Sequence, residues 1–213
     1  MAQRPKDHVR YAIVSAAAEE LAAVGYERAT LSAIAARAGT SIGNVYKYFE
    51  NKGALFDAVV PRSLVDELEA LLLTRMRALL PSASSGASVA SLSSLGSEHP
   101  YRIASEALDQ FAFTHRAQLI FLLKNAAGSP YAEFAEELSQ TLTRAALEFA
   151  RTAYPAFTPT APARRALHRI YRSFLTSVAS LLTEEPTNQA LREGTAHFTT
   201  YHLAGLAAFF ERS

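Results

Sequence analysis

Residues 30–49, TLSAIAARAGTSIGNVYKYF, read as two short helices joined by a tight turn. Leu31, Ile34, Ala35 and Ala38 recur at helical spacing and give the first helix one apolar face. Thr30 stands where a hydroxyl can accept from the free N–H groups of a first turn. Gly39 follows the last periodic residue, where a left-handed backbone is cheap only for glycine. Ser41 takes the capping role for the second helix, whose apolar side is Ile42, Val45 and Phe49. Ala35 is small where the two helices must cross closely. The pattern predicts a helix-turn-helix whose second helix lies in the major groove of DNA.

The same periodicity would serve an ordinary helical hairpin inside a core. The polar side of the second helix separates the two readings. Asn44 can pair with a base edge, Tyr46 and Tyr48 can donate to phosphate, and Lys47 and Lys52 supply charge. A merely solvated face would more usually carry Glu/Lys pairs four residues apart. Gly43 and Asn44 at the leading end are small enough to let the helix backbone approach a groove floor.

Working outward, the chain has 213 residues and 49% hydrophobic content, enough for a substantial core in one large or two small domains. It has no cysteine, which removes disulfides, thiolate metal sites and cysteine nucleophiles and suits a cytoplasmic protein. The N-terminal MAQRPKDHVR lacks the apolar run of a signal peptide, and no apolar run is long enough to span a bilayer. Net charge is only +1, so bulk electrostatics do not announce nucleic acid. Residues 1–52 nevertheless net +2, from Arg4, Lys6, Arg10, Arg28, Arg37, Lys47 and Lys52 against Asp7, Glu19, Glu20, Glu27 and Glu50. Arg4, Lys6 and Arg10 could form a basic arm toward phosphate or simply a solvated tail.

The rest of the chain predicts helices throughout and no strand. Residues 8–24 form a first helix with Val9, Ile13, Ala16, Ala17 and Leu21 inward, stopped by Gly25, after which Tyr26 packs. Asn51 caps a fourth helix with Leu55, Phe56, Val59 and Val60 inward. Lys52 in its first turn opposes the helix dipole unless a phosphate sits there. Pro61 should kink this helix, which then continues through Leu64, Val65, Leu68, Leu71, Leu72 and Leu79. Residues 81–97 are rich in serine, glycine and alanine, without charge, and read as a flexible loop. Helices follow at 100–114, 115–126, 130–154 with Ser129 as cap, about 164–182, and about 189–211. The expected fold is all-α with about nine helices: a three-helix DNA-binding domain over residues 1–50 and a helical bundle over 51–213.

The last two helices carry more apolar surface than one internal face needs. That excess points to a homodimer built from Leu175, Val178, Leu182, Phe198, Tyr201, Gly205 and Phe209. Burial of both sides within one subunit is the alternative. A ligand pocket in the bundle would be mostly apolar. Phe111, Phe113, His115, Phe121, Phe134 and Tyr171 are candidates by position and size, although aromatics more often fill cores. His197 and His202 lack the i, i+4 spacing of a helical metal pair, so no metal site and no cofactor are expected. No G-x-S-x-G, Walker loop, Rossmann fingerprint or H-E-x-x-H occurs, so no enzyme is expected.

The N-terminal third resembles the TetR/AcrR family of bacterial transcriptional regulators. The likeness runs from Ile13 to Phe56 through Ala16-Ala17, Gly25-Tyr26, Thr30, Ile34-Ala35, Ala38-Gly39, Ser41, Gly43, Val45-Tyr46, Tyr48-Phe49, Lys52 and Leu55. It implies nine helices and DNA contacts at Thr30, Ser32, Ile42, Gly43, Asn44, Tyr46, Tyr48 and Lys52, to which Ser41 and Lys47 are added as DNA-binding residues, Lys47 standing at a variable position that could meet a base or a phosphate. Three positions depart from the pattern. Glu20 stands where an apolar residue is usual, which should rotate or solvate the first helix; Thr40 replaces a common valine; Gly53 should loosen the fourth helix. The resemblance further implies a homodimeric repressor on a palindromic operator in double-stranded DNA, released by a small apolar effector. A DNA-bound scaffold whose bundle recruits a protein is the alternative.

Overall fold

A computed structural model describes residues 5–79 and 96–212, with side chains from Asp7 to Glu211. Among these residues there is no strand. The helices are α1 (Pro5–Arg28), α2 (Leu31–Arg37), α3 (Ile42–Tyr48), α4 (Lys52–Val59), α5 (Arg62–Arg77), α6 (Pro100–Thr114), α7 (Arg116–Ile120), α8 (Phe134–Ala153), α9 (Ala161–Glu184) and α10 (Asn188–Arg212). A π-helical turn, Phe121–Asn125, extends α7. Most of the serine-rich stretch 81–97, and Arg4 of the basic arm, lie outside the described residues.

Pro61 does more than kink a helix. Val60 leaves the helical region (φ −125°, ψ 67°) and α5 starts afresh at Arg62. Proline has no N–H to give, and its ring pushes the preceding residue toward extended backbone. The start of α8 also differs from expectation. The Ser129 hydroxyl donates to Ala126 O at 2.7 Å and accepts from Tyr131 N at 3.0 Å. It therefore serves a turn, residues 131–133 remain in turns, and α8 begins at Phe134.

The chain divides into two compact units. One comprises the chain through Glu67 with His115–Phe134; the other comprises Leu68–Thr114 with the chain from Ala135 onward. Helix α5 is shared between them in sequence.

In the first unit, Ile13, Ala16, Ala17 and Leu21 of α1 are buried with Ile34, Ala35, Val45, Leu55 and Phe56. Phe56 is the hub of an aromatic cluster, 4.8 Å from Tyr26, 5.6 Å from Phe121 and 6.1 Å from Tyr131 between ring centroids. Gly25 interrupts α1 at φ 81°. A Cβ there would lie 3.1 Å from Asn125 O. Asn125 also donates through Nδ2 to Ala22 O, so the π turn rests against the end of α1. Glycine is needed there for both conformation and clearance. Glu20 neither rotates α1 nor reaches open solvent. It is buried, and its carboxylate accepts from Arg37 Nη2 at 3.1 Å, joining α1 to α2. Glu19 accepts from the same guanidinium at 3.3 Å. A buried carboxylate is tolerable when it is paired in this way.

The second unit is a bundle of α6, α8, α9, α10 and the later part of α5. Leu142, Phe149, Leu167, Leu182, Leu191 and Phe210 are among its most buried residues. Thr160 caps α9 by accepting from Ala163 N at 3.3 Å, and proline falls in its first turn.

Candidate nucleic-acid interface and cavity

Three caps shape the helix-turn-helix. Thr30 Oγ1 accepts from Ala33 N at 3.1 Å, Ser41 Oγ from Asn44 N at 3.2 Å, and Asn51 Oδ1 from Ala54 N at 2.9 Å. Each supplies a partner to an N–H that has none within its own helix. Gly39 turns the chain between α2 and α3 at φ 63°.

Val45 and Phe49 anchor α3, at 0% and 4% exposure. The opposite side is open. Ile42 and Tyr46 are 45% and 54% exposed, and Gly43 and Lys47 are exposed as well. Asn44 is half-buried and donates through Nδ2 to Thr40 Oγ1 at 3.0 Å, while its Oδ1 accepts from Lys47 Nζ at 3.0 Å. The polar side chains of the helix thus hold one another in place along its outer face. Thr40, the departure from the family pattern, supplies the hydroxyl that orients Asn44. Thr30, Ser32 and Ser41 are exposed at or near the helix starts, and Tyr48 is half-buried. A capping hydroxyl accepts with a lone pair and keeps its own O–H for a further acceptor such as phosphate.

Lys52 is half-buried and already has partners. Its Nζ donates to Tyr26 O and to Glu27 O, and it lies 4.6 Å from the centre of the Tyr26 ring. A cation at the C-terminal end of α1 is favourable, which offsets the opposing position in the first turn of α4. Arg10, the member of the basic arm that is described, stacks 5.4 Å over the Phe49 ring.

The second unit contains a cavity of about 60 Å³ lined from α5, α6, α8, α9 and α10. One water needs ~10–15 Å³, so the space admits several waters or a small ligand. Leucines, Met76, Phe149 and Phe174 form most of the wall, with Arg75, Tyr101, Tyr171, Thr199 and His202 as the polar members. Of the six aromatic and histidine candidates from the sequence, only Tyr171 lines it. Phe121 and Phe134 are buried in the first unit, and Phe111 is buried away from the cavity wall. Large aromatic rings at these places do the ordinary work of filling a core.

The residues that do line the cavity had one readable signal. Arg75 falls on the same face of α5 as Leu68 and Leu72, a cation set within an apolar stripe. Its Nη2 donates to Tyr101 Oη at 2.7 Å and its Nε to Ser105 Oγ at 3.0 Å. The His202 ring lies 4.3 Å from Phe174 and 5.5 Å from Tyr171. Burial, then the nearby Arg75 charge, hold His202 down to about 4, so it is neutral near pH 7. Burial pushes the Tyr171 hydroxyl well above its ordinary range.

The residues expected at a dimer interface divide by environment. Leu175 and Leu182 are buried inside the bundle, and Phe198 stacks on Phe174 at 5.3 Å. Phe209 meets Phe157 at 6.1 Å, and Val178 is half-buried. Tyr201 and Gly205 are exposed on α10, beside exposed Ala204 and Ala208.

Among the described residues, no helix is long and apolar enough to cross a membrane. No curated protein matches the chain. Residues 13–59 match the sequence model of the bacterial regulatory proteins of the tetR family, and this span holds α2, α3, α4 and the buried side of α1. The N-terminal helix-turn-helix is therefore similar to that of the bacterial regulatory proteins of the tetR family, which supports a DNA-binding transcriptional regulator.

Proposed function

We propose that the protein is a homodimeric repressor that binds a palindromic operator and is released by a small molecule held in the bundle. The reading rests above all on the outer face of α3. It presents Ile42, Gly43, Tyr46 and Lys47 to solvent while Val45 and Phe49 hold the helix to its core. A seven-residue helix held by one buried side and a cap is the size of element that enters a major groove. Lys47 and Tyr46 meet phosphate or base edges, Asn44 reads a base after exchanging its Thr40 and Lys47 partners, and Thr30, Ser32 and Ser41 meet the backbone. Lys52 acts by holding the end of α1 and adds positive potential near the phosphates.

Pairing of subunits uses the exposed side of α10. Tyr201, Ala204, Gly205 and Ala208 lie three or four residues apart, and nothing comes within 4 Å of a Cβ built on Gly205. Small side chains let two helices approach closely, and twofold dimers are the commonest assembly. Two copies of α3 then sit about one DNA turn apart, roughly 34–36 Å. Effector release is supported by the connectivity: α5 begins in the first unit and supplies Leu72, Arg75 and Met76 to the cavity wall. A ligand shifts the equilibrium between poses only by its differential affinity for them.

Selection of bound sequences from random duplex DNA, read by gel shift, tests this. The expected product is an inverted repeat with half-sites about one turn apart. Sedimentation at micromolar concentration should show a dimer. No bound sequence at low salt, or a monomer throughout, would overturn the reading.

A further inference from the structure

Among the described residues, the wall of the bundle cavity carries one formal charge, the guanidinium of Arg75, and no carboxylate. Arginine cannot shed its proton inside a protein, so this cation persists whatever fills the space. Its two hydrogen-bond partners, Tyr101 Oη and Ser105 Oγ, are neutral hydroxyls, and Ser105 is itself tied to Tyr101 O at 2.7 Å. Two of the five N–H donors of the fork are thereby used, and the plane of the group is set. Among the described residues, no carboxylate oxygen lies within salt-bridge distance of Arg75. The acid nearest in influence, Asp109, is outside the lining, and burial raises its carboxyl despite Arg75, Arg192 and Arg102. The neutral His202, also in the lining, adds an aromatic face and no charge. Apart from the Tyr171 and Thr199 hydroxyls, the remaining surface is aliphatic and aromatic.

We infer that the ligand of this cavity is a small organic acid, its carboxylate paired with Arg75 and its apolar body lying among Leu142, Phe149, Leu203 and Leu206. The inference rests on the reading of the cavity as the effector site. A planar guanidinium held in one orientation by neutral groups matches a carboxylate bidentately and leaves a cationic ligand without a partner. A neutral amide of the same shape can fill the apolar part but forgoes the charge-assisted pair. At about 60 Å³ the space is smaller than the ~150 Å³ apolar cavity that takes benzene, so the side chains around it give way to admit a ring or an alkyl chain.

The test uses the full-length protein and three matched pairs: benzoate with benzamide, 3-phenylpropionate with its amide, and octanoate with its amide. Benzylamine is the cationic control. Binding is followed by calorimetry and thermal shift, and DNA release by gel shift on the selected operator. At least one acid should bind tenfold or more tightly than its amide, benzylamine should not bind, and the same acid should loosen the DNA complex. Arg75→Gln should bring the acid and amide within threefold of each other. Arg75→Lys, which keeps the charge without the fork, should retain part of the preference even if the glutamine variant does not fold. Amides that equal or surpass the acids in the parent protein, or a preference that survives Arg75→Gln, overturn the assignment. If the amides bind and release DNA while the acids do not, only the ligand class falls. If none of the compounds binds or releases DNA, the effector reading of the cavity falls with it.

Discussion

Helix α3 and helix α10 both hold large apolar groups out to solvent, and they reach that state by opposite routes. In α3, seven residues carry Ile42 and Tyr46 outward because Val45 and Phe49 take the inward positions and Ser41 fixes where the helix begins. Its orientation is set by local chemistry: a cap, a glycine turn and a four-residue apolar spacing. In α10, twenty-five residues carry apolar groups around much of the girth. Nothing local selects the inner side. Phe198 and His202 turn inward because Phe174 of α9 offers a ring to stack on, and Tyr201, 76% exposed, is left outside. The short helix is displayed by its own sequence; the long one is sorted by its neighbours.

The largest test of this contrast lies in the small core behind α3. Phe56→Ala removes the hub ring of the first unit and should lower stability by about 3–5 kcal/mol in urea unfolding, with loss of DNA binding. A change under 1 kcal/mol would mean that the head does not depend on that core. Next comes the inward side of α10. His202 has a folded pKa of about 4, below its ordinary value of 6.5. The unfolded chain therefore binds the proton first as pH falls, and stability drops between pH 6.5 and 4 and is intact above that window. The loss is at most about 3 kcal/mol, and His202→Gln should flatten this part of the pH profile. An unchanged profile in that variant would remove His202 from the account.

Smaller effects are expected on the displayed face. Asn44→Ala should cost about 1–3 kcal/mol on the selected operator and relax preference at one base position, whereas Lys47→Ala should weaken all sequences alike and reduce the salt slope by about 1. A reversed pattern would exchange their roles. Ser41→Ala should lower stability by about 1 kcal/mol through the lost bond to Asn44 N. Tyr201→Ala should change the stability of a single subunit by no more than about 0.5 kcal/mol. On the proposed pairing it should nonetheless raise the dimer dissociation constant at least fivefold in sedimentation. A dimer unaffected by this change uses some other surface.

How far the chain could be read in advance follows from the range over which each interaction acts. Thr30, Ser41 and Asn51 cap the helices at the positions their spacing indicates, because a cap bond reaches only three residues. Gly25 and Gly39 turn the chain for an equally local reason, the ease of positive φ in glycine. Lys52 was legible as an anomaly, a cation at the wrong helix end. Its resolution, the carbonyls of Tyr26 and Glu27, lies about 26 residues away in the chain and is visible only in three dimensions. Glu20 is the same kind of case: out of place along α1, paired once Arg37 arrives from α2. Ser129 had the right residue type for a cap and serves a turn instead, donating back to Ala126 O beside Gly128 at φ 75°.

The sequence by itself determined an all-helical chain, the boundaries of the helix-turn-helix and the identity of its outward face, because periodicity, capping and glycine conformations are properties of neighbouring residues. Only the tertiary structure decided that His115–Phe134 belongs to the same unit as the head, that the cavity takes Arg75 and His202 in place of Phe111 and Phe121, and which side of α10 stays exposed. Those outcomes depend on which of several equally apolar faces meet. Apolar attraction is not directional, so the choice falls to the shapes and charges that distant segments bring together.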